Sequence, residues 1–143
     1  MLLILPGENC REAILTAFNH AKSSSRPLHV VQILSSGLYP YGHQDLVATR
    51  HSKRQFLLYI RDEVLRRGEA EIGALTESAR EMGISLEVHS IESEDVVSAA
   101  LSEVRKGYDV IFLPKTKRKL FPLLERNLAR QLQKKTRCRI IPC

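Results

Sequence analysis

Apolar positions along this chain change period several times, and the changes mark out its elements. "LLIL" (2–5) is an unbroken apolar run stopped by Pro6-Gly7, the pattern of a short buried strand. Over 8–23, Ala13, Ile14, Ala17, Phe18 and Ala21 recur at helical spacing, and Glu8 and Glu12 sit near the end where a helix dipole favours acids. "SSSRP" (23–27) ends that helix, "LHVVQIL" (28–34) is a strand rich in β-branched residues, and 35–44 is a turn-rich loop.

From 45 to 82 the period is again helical. Leu57, Ile60, Val64, Gly68, Ile72, Leu75, Ala79 and Met82 form one stripe spaced by three or four, and Gly83 supplies a left-handed stop. A helix of that full length would run roughly 57 Å at 1.5 Å per residue, too long for this chain, so its first few residues are expected to be loop. Next, 84–91 alternates through Ile84, Leu86 and Val88 as a strand, and 93–107 is a helix with Ser93 as N-cap and Gly107 as its stop. "YDVIFLP" (108–114) is a fourth strand, 121–135 a helix with proline in its first turn, and "CRIIPC" (138–143) the last strand.

The order β-α-β-α-β-α-β-α-β implies an α/β fold: a mostly parallel five-stranded sheet with helices on both faces, in three layers. No linker or internal repeat divides the sequence, and 143 residues suffice for one domain (1–143) with a real core. No apolar run approaches the ~20 residues of a membrane span. Three cysteines (Cys10, Cys138, Cys143) fit no metal pattern, and the simplest expectation is a reduced cytoplasmic protein.

Charge changes this ordinary picture. The net charge is +6, but residues 114–143 carry +9, with ten Lys and Arg against Glu125 alone, while 1–113 carry −3. Such a localised excess suits an anion, a nucleic acid or an acidic protein face, and equally a solvated basic helix. Aromatic residues are 6% of the chain and only Phe121 lies among the basic residues, so no stacking platform for single-stranded nucleic acid is evident.

Several stretches, in order, resemble the universal stress protein family. "LLILPGENCREAIL" resembles that family's first strand and helix, and "LHVVQIL" its second strand, with His29-Val30 as the histidine-valine pair. "AREMGISLEVHSIESEDVVSAALSEVRKGYDVIFLP" is similar to the family's centre and "QLQKKTRCRIIPC" to its closing segment. The resemblance implies the adenine nucleotide alpha hydrolase-like fold, a stress-response role and a homodimer.

One departure bears on ligand binding. Nucleotide-binding members carry Gly-x2-Gly-x8–9-Gly-Ser/Thr after the fourth strand, where bare backbone N–H groups approach phosphates. Aligned here, those positions fall on Pro114, Lys117, Arg126 and Asn127. A β-carbon at each former glycine occupies space and disfavours positive φ, and Pro114 has no N–H to donate. The first turn offers Gly7 and Glu8, the latter a displaced substitute for the family's acid, and Val30 completes the cleft implied by the resemblance. The expectation is a degenerate site that does not bind ATP and holds no cofactor. The alternative keeps an anionic nucleotide through side chains of the loop 115–119 and Arg126.

Other chemistry finds little support. The five histidines show no metal-ligand spacing, no Ser-His-acid set or G-x-S-x-G occurs, and Asp45, Asp62, Asp95 and Asp109 fall on separate elements. Asp109 reads as a turn or cap residue, and Cys10, near a helix start where a thiol pKa can fall, reads rather as a buried or inert cysteine. No enzyme activity is expected. The expected partner is a second copy, pairing through the final strand (Arg137–Cys143), an apolar edge of the sheet; an anionic ligand or a further protein partner stays open, and no membrane is expected.

Overall fold

A computed structural model describes residues 1–5, 10–35, 50–114, 130–134 and 138–143. Its elements are β1 (Leu2–Leu5), α1 (Arg11–Ser24), β2 (Leu28–Ser35), α2 (Arg50–Glu81), β3 (Leu86–Ser93), α3 (Val96–Val104), β4 (Val110–Leu113) and β5 (Arg139–Pro142); residues 130–134 are also helical. All strand pairs are parallel, in the order β3-β2-β1-β4-β5. The chain builds outward from β1 to β3, then crosses back to place β4 on the other side of β1. The topological switch lies between β1 and β4, with β3 and β5 as edges.

Both faces of the central strands are covered, which is why β1 and β4 are continuous apolar runs rather than alternating ones. Leu3, Leu5 and Val30 pack beneath Ala13, Ala17 and Phe18 of α1 and Leu75 and Ala79 of α2. Leu2, Ile4, Val31 and Ile33 face Val96, Ala100, Leu101 and Val104 of α3, together with Leu132. Two cores, one on each side of the sheet, make the three layers expected from the alternating pattern.

Helix ends account for most differences from the expected boundaries. Both α1 and α2 close by the same motif: Arg26 N–H bonds Ala21 O and Ser25 N–H bonds Lys22 O, while Ile84 N–H bonds Ala79 O and Gly83 N–H bonds Arg80 O. Ile84 therefore belongs to the closure of α2, buried beneath it, and β3 begins at Leu86 rather than Ile84. Gly83 adopts the left-handed φ of 69° that this closure requires; in α1 the same position is Ser25, at φ 51°.

The N-cap of α3 is Asp95, not Ser93. Asp95 Oδ1 accepts from the amides of Val97 (3.0 Å) and Ser98 (3.1 Å), while Ser93 ends β3 and accepts from Asp95 N–H. The helix α3 stops at Val104, ahead of a turn that runs to Gly107. The first helix starts at Arg11, and α2 at Arg50, giving 32 residues or about 48 Å. The expected stripe of α2 is fully buried only at Gly68, Leu75 and Ala79, and Leu57 is 36% exposed. Asp109, expected as a turn or cap residue, forms an ion pair with Arg26 across the N-terminal edge of the sheet.

Candidate functional site

Between α1 and α2, over β1, β2 and β3, lies a cavity of about 300 Å³. This is the lower end of the size range of small-molecule sites, and its lining has their usual makeup of apolar walls with a few polar groups. Leu5, Val30 and Val88 form the floor, Ile14 the α1 side, and Ile72, Ala74 and Leu75 the α2 side; Cys10, Arg11, Gln32, Glu71 and Ser78 add polar atoms.

Gln32 organises the polar part. It is 2% exposed and, with Glu103, one of two buried polar or charged side chains among the described residues. Burying an amide is costly unless both ends are bonded. Here the Ser90 hydroxyl donates to Oε1 (3.0 Å), and Nε2 donates to Glu71 Oε2 (3.2 Å). A carboxylate only accepts, so the amide nitrogen must face Glu71, and the orientation is fixed. Helix α2 comes this close because residue 68 is glycine: a Cβ there would stand 3.0 Å from Gln32 Oε1 and 3.2 Å from a Leu34 methyl.

A second polar cluster lies on the opposite face. Glu103 of α3 accepts from Lys106 Nζ at 2.9 Å and lies 3.1 Å from His89 Nε2 on β3. Burial raises the Glu103 carboxyl, but hydrogen bonds from Lys106 and His89 outweigh it and hold the group below the usual carboxylate range. The cluster ties α3 to the edge strand; it lines no part of the cavity.

Of the residues expected at a ligand cleft, Val30 lines this cavity, in register with Leu3 and Val88. Pro114 is buried directly after β4 and does not line it. Gly7, Glu8, Lys117, Arg126 and Asn127 lie outside the described residues, as do Lys115, Arg118 and Lys119. Among the described residues the expected cleft is represented by Val30 and Pro114 alone, on and directly after the strands that flank β1. Of the ten cations in 114–143, Arg130, Lys134 and Arg139 are described, and all three are exposed. Cys10 is buried, as expected.

Gln32, Gly68 and Glu71 were not anticipated. The only signals were an amide inside an apolar run and a glycine inside a helix stripe. Among the described residues, no three His, Cys, Asp or Glu converge as a metal site would require, and no helix is long and apolar enough to cross a membrane.

No family model matches the chain, and no curated protein matches it in sequence. Solved structures do match, and 32 chains do so significantly. A protein of the universal stress protein family from Burkholderia pseudomallei superposes with a TM-score of 0.67 at 16% identity, over 99% of this chain and 93% of the other. The universal stress protein UspA from Lactobacillus plantarum gives 0.63 at 14%, over 99% and 96%. A universal stress protein family protein from Arabidopsis thaliana, with AMP bound, gives 0.60 at 12%, over 99% and 90%. At these identities the likeness establishes the fold: this chain has the universal-stress-protein architecture from end to end.

Proposed function

We propose that this protein is a cytoplasmic stress-response module of the universal stress protein type, a regulatory or binding protein rather than an enzyme, and that it does not bind ATP. The observation that carries the reading is the whole-chain likeness to universal stress protein structures, and the residues that the sequence aligns with the family's glycine pattern support it. Pro114 follows β4 directly and is buried. It offers no amide to a phosphate, and its ring fixes φ near −65°. Lys117, Arg126 and Asn127 replace the remaining positions of the pattern.

A homodimer through β5 belongs to the same reading. β5 is an edge strand paired only with β4, and Ile140 and Ile141 are half-buried along it. An apolar edge of this kind is a ready template for pairing with a second copy.

A second reading has one observation in its favour: the Arabidopsis relative in fold carries AMP. In that reading the basic residues 115–119 and Arg126 hold a nucleotide phosphate through side chains. A thermal-shift screen of the purified protein against ATP, AMP and cAMP, with mass spectrometry of co-purifying small molecules, separates the two. The proposal expects no nucleotide in either; a stabilising or co-purified nucleotide favours the second reading.

A further inference from the structure

The cavity between α1 and α2 brings three unexpected sequence choices together at one wall. An amide occupies position 32 of an otherwise apolar face, where a valine or isoleucine would pack without polar desolvation. A glycine occupies position 68 inside a helix, against an intrinsic preference for alanine of roughly 0.8–1.0 kcal/mol, because a Cβ there would stand 3.0 Å from Gln32 Oε1. A carboxylate, Glu71, leans over the buried amide from the same helix. Beside them a cavity of about 300 Å³ is left open. A place where sequence-level rules fail together in this way marks function more often than accident.

We propose that this cavity is a binding site for a small molecule with an apolar body and a cationic amine or amidinium head. The head pairs with Glu71. One carboxylate oxygen accepts from Gln32 Nε2, and the other has no hydrogen bond among the described residues. The buried amide holds the carboxylate of Glu71, an exposed residue, beside the apolar slot, where it accepts a charge-assisted hydrogen bond from the head. Val30, Leu75 and Ile72 then cover the body. An anionic head is disfavoured beside Glu71. Arg11 also lines the cavity, but it is exposed and makes no hydrogen bond or ion pair among the described residues.

Benzamidine, benzamide and benzoate share one shape and differ in the charge of the head, so they test the proposal directly. They are titrated into the full 15N-labelled chain and followed by amide spectra. The expected result is saturable binding of benzamidine, at least tenfold tighter than benzamide and far tighter than benzoate. The shifts should centre on the Gln32 side-chain amide and on Val30, Leu75 and Val88. Glu71→Gln, at an exposed position, should weaken benzamidine at least tenfold while leaving the spectrum of the free protein largely unchanged. Ala74→Leu should fill the slot and abolish binding of all three. The proposal is overturned if benzoate binds as well as benzamidine, if Glu71→Gln leaves the affinity unaltered, if the shifts centre elsewhere, or if nothing saturates.

Discussion

Replacing Gly68 and Gly73 by alanine, one at a time, tests how closely α2 approaches the sheet. Both glycines sit in the interior of α2, so each substitution carries the same intrinsic helix gain of roughly 0.8–1.0 kcal/mol. Their surroundings differ. A Cβ at Gly73 meets nothing within 4 Å, while one at Gly68 meets Gln32 Oε1 at 3.0 Å and Leu34 methyls at 3.2 and 3.3 Å. Those neighbours yield poorly: Gln32 is pinned by Ser90 and Glu71, and Leu34 is buried. Overpacking of this kind typically costs about 1–3 kcal/mol, which outweighs the helix gain. Gly73→Ala should therefore stabilise by about 0.5–1 kcal/mol and Gly68→Ala destabilise by about 1 kcal/mol. In a domain of this size each kcal/mol moves Tm by roughly 2–4 °C or a little more. Urea denaturation with fixed m-values reads the difference. If Gly68→Ala stabilises as much as Gly73→Ala, the close approach over Gln32 is wrong.

Three further outcomes follow from local chemistry. Ser25 holds a left-handed φ of 51° in a closure that favours glycine, so Ser25→Gly should raise stability by about 1 kcal/mol, measured by thermal melting. Glu103→Gln should lower stability by about 1–3 kcal/mol at neutral pH, since it weakens charged hydrogen bonds to Lys106 and His89. The Glu103 carboxyl lies below its unfolded value in the folded state. Its stabilisation is thus full above the ordinary carboxylate pKa and fades as pH falls through the depressed folded value, and the variant should lose less stability on acidification than wild type. Sedimentation at micromolar concentration should show a dimer weakened by Ile140→Lys on the β5 edge; a monomer throughout would remove the dimer from the account.

The period of the apolar residues made the element order legible, because a strand covered on both faces and a helix covered on one leave different patterns. Boundaries were less legible where two residues could serve one role. Ser93 and Asp95 are both good N-caps, two positions apart, and only the geometry of β3 decides for Asp95. Ile84 continues the alternation of β3, yet the backbone closure of α2 claims it first. The candidate site was hardly legible. Gln32 and Glu71 are 39 residues apart and Ser90 is on a third element, so no local spacing could join them. Gly68 looked like one more member of an apolar stripe, though its role is to let a helix approach an amide. The expected nucleotide residues came from a resemblance rather than from the residues' own spacing, and of the two among the described residues Val30 lines the cavity and Pro114 does not.

Isothermal titration of the unmodified protein with ATP bears most directly on the proposal that this fold has lost its nucleotide. The account predicts no measurable heat, because aligning the sequence to the family pattern puts a proline and two long side chains at positions where glycines would let backbone meet the phosphates. It further predicts that restoring Pro114→Gly, Lys117→Gly and Arg126→Gly together recovers some binding. Micromolar binding of ATP by the unmodified chain, lost on Lys117→Ala, would contradict it.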